Sequence, residues 1–219
     1  HYKVCWVGSA GLANYLPEVY EIEKNNIQQV QQNGDHPVML VVGSVSQVTR
    51  RQLEVVLQES ELLGIELHSS ALVADEETMI QEIDQALTIA TKALNENRGI
   101  ALYSSGSRED IRKAQETGKK FGLNGREVSN KISNVLGRVA ATLTHRYDFN
   151  GLVLTGGDTA KQVCNQLNVV GFNLLDEVET GIPLGLAIGE KQFRAITKAG
   201  AFGTEYSLLN AIKKLQGDA

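Results

Sequence analysis

The sequence is poor in residues that staple or metallate a fold. Among 219 residues there are two cysteines, Cys5 and Cys164. Two cysteines exclude a disulfide framework, and they have no zinc-site spacing. Both lie in apolar patterns and read as core filler in a reducing compartment. The four histidines, His1, His36, His68 and His145, share no metal-ligand spacing, so no residue is assigned to a metal. Long hydrophobic runs are also missing, since no apolar stretch approaches the roughly 18 to 20 residues of a membrane helix. Blocks of like charge are absent. The net charge of -5 is spread along the chain, which argues against a broad nucleic-acid surface, usually a basic one. No serine sits in a G-x-S-x-G elbow. No signal-peptide pattern is read at the start, and a cytoplasmic location is expected. The chain opens on His1 rather than Met and reads as a piece of a longer polypeptide.

What is present is an ordinary globular composition, 42% hydrophobic and 21% charged, long enough for a sizeable core. A strand is expected over Tyr2–Val7, followed by a turn and a short helix to about Tyr20. Residues 21–35 are Gln/Asn-rich and read as a linker. Thereafter strand and helix patterns alternate. Strands are expected at Pro37–Val42, Ile65–His68, Gly99–Tyr103 and Leu152–Leu154. A helix capped by Thr49 and ended by Gly64, one opening at Asp75, one from about Glu109 and a long one from about Arg126 lie between them. Residues 168–200 lack helical periodicity and read as strands, with Thr180–Gly185 left as a loop. The last helix is expected to be capped at Gly203-Thr204. The pattern predicts an α/β fold, three-layer, with a mainly parallel or mixed sheet flanked by helices.

Ligands of open α/β sheets gather at the carboxyl ends of strands. Three such ends are rich in small residues: Gly43-Ser44, Ser104-Ser105-Gly106-Ser107 and Gly156-Gly157-Asp158-Thr159. The third carries the most. Asp158 or Thr159 as a plain helix N-cap accounts for one polar residue. It leaves the two preceding glycines unexplained, and these permit positive φ or a close backbone approach. A strand that breaks at Gly-Gly and opens a helix puts N–H donors at one spot, which suits phosphate. Asp158 would then hold a magnesium ion or serve as a base. Residues 196–204 offer Lys198, Gly200 and Gly203 ahead of a helix, without the order of a P-loop. Arg50-Arg51 reads as a solvated pair.

Four blocks follow one another along the chain. They are Val41-Val42-Gly43-Ser44 with Thr49 and Gln52-Leu53 beyond, Leu154–Ala160, Gly181–Gly185 and Thr197–Gly203. In that order the sequence resembles the four-carbon acid sugar kinases, which act on D-threonate, D-erythronate or 3-oxo-tetronate. The resemblance covers about residue 37 to the end and corresponds to the C-terminal, nucleotide-binding domain. It implies that residues 1–35 are a remnant of the N-terminal sugar-binding domain plus a linker, and that 36–219 form the C-terminal nucleotide-binding domain. The implied partners are ATP/ADP with Mg2+ and a small acid sugar, with no membrane and no nucleic acid. A homo-oligomer is compatible with this. The implied ATP contacts are Ser44, Gly156, Gly157, Asp158, Thr159 and Gly200, with Lys198 added from its place in the last block. The catalytic residues are unassigned. Without the N-terminal domain the piece is expected to be inactive. The alternative reading is a non-catalytic nucleotide- or sugar-phosphate-binding module.

Overall fold

A computed structural model describes residues 4–8, 10–13, 15–22 and 34–217. The chain divides into two compact units, His1–Val30 and Gln31–Ala219. In the first, α1 (Ala10–Ala13) and α2 (Leu16–Val19) are single turns. The Trp6 indole N–H donates to the Tyr20 hydroxyl at 2.8 Å. The strand expected over Tyr2–Val7 does not form where it can be seen. Residues 4–8 have no ladder partner, and Val7 is 91% exposed. Apolar alternation makes a strand only against a neighbour. Tyr2, Lys3 and residues 23–33, most of the expected linker, lie outside the described residues.

The second unit is built on a seven-stranded sheet of order β2-β3-β1-β4-β7-β6-β5. Its strands are β1 (Val38–Val42), β2 (Leu63–Leu67), β3 (Ile100–Ser104), β4 (Gly151–Thr155), β5 (Gly171–Glu179), β6 (Ile182–Ile188) and β7 (Phe193–Lys198). The first five positions of that order pair in parallel, and β6 and β5 close the sheet antiparallel. Thr180–Gly185, expected as a loop, is instead a hairpin turn at Gly181 (φ 82°) running directly into β6.

Alternation in the strands feeds two cores. Met39 and Val41 of β1, with Leu152 and Leu154 of β4, face one side; Val38, Leu40, Val42 and Val153 face the other. The first side is covered by α5 (Glu76–Asn95), α7 (Gly125–Arg146) and α8 (Gly157–Gln166). The second is covered by α3 (Gln47–Glu59) and α9 (Ser207–Gln216). This is the three-layer α/β arrangement with a mixed sheet. The short α4 (Ser69–Leu72) and α6 (Arg108–Lys120) close over a smaller cluster of Val73, Ala114 and Val128.

The helix starts follow side-chain caps. Ser46, not Thr49, caps α3 by accepting from the Thr49 N–H, and the helix ends at Glu59, leaving Gly64 inside β2. Asp75 caps α5 and Ser107 caps α6. Asn124 and Glu127 form a capping box on α7. For α9 the expected cap at Gly203-Thr204 is displaced to Tyr206, because Thr204 is tied to Glu179 instead. Among the described residues no helix is long and apolar enough to cross a membrane.

Candidate functional site

Strand order decides where a ligand can sit. From β1 the chain leaves toward the α3 face, whereas from β3 and β4, on either side of it, the chain leaves toward the opposite face. Connections that diverge in this way open a crevice at the carboxyl ends of the strands. A cavity of about 460 Å³ lies there. Its walls bring together Ser44, Gly156, Gly157, Asp158 and Thr159. Asp158 is the one ionisable side chain on those walls among the described residues.

The floor is the first turn of α8. Gly156 is its N-cap, at φ 97° and ψ 119°, and supplies no side-chain cap. Neither Asp158 nor Thr159 is the cap; they occupy the first turn, Asp158 exposed and Thr159 buried. The leading N–H groups of α8 therefore face the cavity without a side-chain acceptor, at the positive end of the helix dipole. A β-carbon on Gly157 would have open space around it.

Ser44, Gly156 and Gly200 come from three strand ends and meet. A β-carbon on Gly156 would stand 3.1 Å from the Ser44 nitrogen, and one on Gly200 would collide with Ser44 Oγ. Backbone bonds tie the same ends together, from Gly43 N–H to the Thr155 carbonyl and from Gly156 N–H to the Lys198 carbonyl, each 3.2 Å. Lys198 is buried and does not line the cavity. Its Nζ donates to the carbonyls of Ala199 at 2.9 Å and Phe202 at 3.0 Å. Burial pushes this ammonium down to about 8, and the charge of Glu179 opposes that shift.

The opposite wall was not legible in the sequence. Ile111, Ala114 and Gln115 of α6 line it together with Val128 and Ile132 of α7, and Ala114 and Val128 pack against each other behind the wall. From Gly125 to Ser133, α7 borders the cavity for about 12 Å, at 1.5 Å per residue. Thr159 Oγ1 meets Ser133 Oγ at 3.4 Å at the inner end. Helical periodicity marks Val128 and Ile132 as core, and nothing in the pattern separates a residue facing a cavity from one facing a neighbour. Ser104 and Ser105, small residues of a tight strand-to-helix turn, also line the cavity. Ser105 Oγ accepts from the Ser69 N–H at 2.8 Å, so it serves both purposes. Arg50 is not a solvated residue. Its Nη1 donates to the Ser104 carbonyl at 2.8 Å, behind the cavity wall. Burial lowers its pKa, opposed by the nearby charges of Glu66, Tyr103 and Asp110.

The family model described as the nucleotide-binding C-terminal domain matches residues 39–208. Over 209 residues the sequence is 30% identical to the D-threonate kinase of Salmonella typhimurium, covering 94% of this chain and 47% of that protein. Over 215 residues it is 26% identical to the 3-oxo-tetronate kinase of Brucella melitensis biotype 1, covering 94% and 45%. A crystal structure of a domain of unknown function from Bordetella bronchiseptica, with bound citrate and in a domain-swapped dimer, matches with a TM-score of 0.64. Sequence identity there is 26%, over 83% of this chain and 41% of that one. The chain spans about half the length of the curated relatives it matches.

Proposed function

Because the chain belongs to the four-carbon acid sugar kinase family, as its nucleotide-binding C-terminal domain, we propose that its cavity binds ATP with Mg2+. The γ-phosphoryl group then passes to a hydroxyl of a four-carbon acid sugar of the threonate or erythronate type. The observation that carries this is the uncapped N-terminus of α8 opening on the cavity. The N–H groups of Gly157, Asp158 and Thr159 meet the phosphate oxygens. Ser44 adds a hydroxyl, and Gly200, which does not line the cavity, lets the end of β7 pack against Ser44. The wall between α6 and α7 has the length and apolar character to take the nucleoside. Lys198 contributes positive charge from behind the Gly200 loop.

Asp158 as the lone acid on the wall fits a magnesium ion held mostly by phosphate and water, as Mg2+ usually is at phosphate sites. The ion would supply charge neutralisation across the phosphates. Ser44 and the α8 N-terminus orient the phosphate chain, and the apolar α6–α7 wall keeps water from the nucleoside. Phosphoryl transfer asks mainly for this positioning. The sugar acid and its base belong to the partner domain of the family's longer chains, which closes over the phosphates and excludes water. Association with a second copy is part of the proposal, supported by the dimer of the Bordetella relative.

The test is thermal unfolding with Mg2+ and ADP or ATP. At a hundredfold excess over Kd, binding stabilises the fold by about 2.7 kcal/mol. At about 2–4 °C per kcal/mol for a domain of this size, that is a rise of roughly 5–10 °C in Tm. An unchanged Tm with nucleotide, together with a rise in sugar phosphate, would replace this reading with the sugar-phosphate module.

A further inference from the structure

Three side chains on one stripe of α3 grip a loop far away in sequence. Ser46, Thr49 and Gln52 follow at three-residue steps, which aligns them along the helix. Ser46 Oγ and Thr49 Oγ1 both donate to the Gly200 carbonyl, the latter at 2.7 Å. Gln52 Nε2 donates to the carbonyls of Phe202 at 3.2 Å and Thr204 at 2.6 Å. From the strand side, Lys198 Nζ holds the carbonyls of Ala199 and Phe202 and reaches that of Gly200 at 3.4 Å. The carbonyls of residues 199, 200, 202 and 204 are thus held by hydroxyls, an amide and an ammonium. Thr49, Gln52 and Lys198 are themselves buried.

Core packing alone does not account for this. Gln52 Oε1 is buried with no hydrogen-bond partner, and among the described residues Lys198 makes no ion pair with a carboxylate. A buried oxygen without a donor and a buried charge without a counter-ion each destabilise a fold, and an aliphatic side chain would fill the same space more favourably. What the grip secures is the approach of Gly200 to Ser44, with Ser44 and Ser46 both on the cavity wall.

We propose that Thr49, Gln52 and Lys198 are positioning residues for phosphate binding, holding the 199–204 loop by its carbonyls so that Gly200 stays against Ser44. None of the three touches the nucleotide. The proposal rests on the nucleotide reading of the cavity. Released, the loop samples other conformations, and the observed Kd rises as the competent fraction falls.

The experiment uses Thr49→Val, Thr49→Ser, Gln52→Leu and Lys198→Met in the full chain, with two readouts. Without nucleotide, amide hydrogen exchange of residues 199–204 should quicken about tenfold in Thr49→Val, Gln52→Leu and Lys198→Met, the effect of one lost buried hydrogen bond. By calorimetry, the Kd for MgADP should rise in the same three variants by the inverse of the competent fraction that remains, about twofold for a loop open half the time. Thr49→Ser, which keeps the hydroxyl, should restore both values. Loop exchange at the wild-type rate overturns the proposal, as does faster exchange with an unchanged Kd. If the wild-type chain binds no MgADP, positioning falls with the nucleotide reading, and the exchange data still show whether the grip exists. Should Thr49→Val fail to fold, Gln52→Leu, at the far end of the stripe, decides the matter.

Discussion

Gly156 and Gly157 stand side by side and differ in what they tolerate. Gly156 sits at φ 97°, with the Ser44 backbone 3.1 Å from where a β-carbon would be. Alanine there meets both left-handed strain and a backbone atom, so Gly156→Ala should lower stability by about 1–2 kcal/mol. Gly157 has space around its missing β-carbon, and that space is the cavity. Gly157→Val should leave the Tm of the free protein within a degree or two of wild type and remove the Tm rise given by MgADP; a full rise would mean the phosphates lie elsewhere. Lys198 makes a different prediction. Its folded pKa of about 8 lies below its ordinary value of 10.5, so between those limits the folded protein has released a proton that the unfolded chain still holds. Stability from this group is fully present above about 10.5 and is lost as pH falls through about 8. Urea unfolding of wild type against Lys198→Met should show the difference shifting in favour of wild type as pH rises from 8 to 10. A flat difference would show that the ammonium is not desolvated.

Among the elements, α7 shows how a secondary-structure signal reaches the site. Its capping box fixes where the helix begins, and its first two turns form a wall of the cavity. Asn124→Ala should cost about 1 kcal/mol and fray the stretch that carries Gly125, Val128 and Ser129. Circular dichroism melts would show the loss, and the Kd for MgADP should rise with it. Elements of this kind were legible, because period and cap agree. The apolar runs behind β1, β4 and β7, the stripe Val128–Ile132–Val135–Val139–Leu143 and the Asp75 cap are all local signals. The mixed sheet was legible in outline from the strand-rich stretch after residue 168. Competing signals misled. Thr49 sits three residues after a better cap, and its hydroxyl is taken by the Gly200 carbonyl. Gly64 resembles a helix stop and lies in a strand. Thr180–Gly185 has loop composition, but only two of its residues make the turn before β6 takes over. Of the cavity, the Gly-Gly break and Ser44 could be read because each is a local backbone event. The α6–α7 wall and the place of Arg50 could not, since both depend on how distant segments pack.

At the scale of the whole molecule, the proposal separates binding from transfer. The chain, spanning about half of its curated relatives, should bind MgADP by calorimetry and yet phosphorylate none of D-threonate, D-erythronate or 3-oxo-tetronate in a coupled assay. Turnover by this chain alone would show that the acceptor pocket lies within it. The way the strand ends are shared has a bearing on time as well. Ser46 and Gly200 are bonded across 154 residues of sequence, and the Ser44–Gly156 end of the cavity needs β1, β4 and β7 in register together. Contacts so distant along the chain form late, after most loop closure has been paid for. A nucleotide then has nothing to hold until the sheet is nearly complete. In stopped-flow experiments MgADP should slow the unfolding limb and leave the refolding rate almost untouched, because it stabilises interactions absent from the transition state. The ligand acts as a brake on opening, and the sheet must find its own way shut.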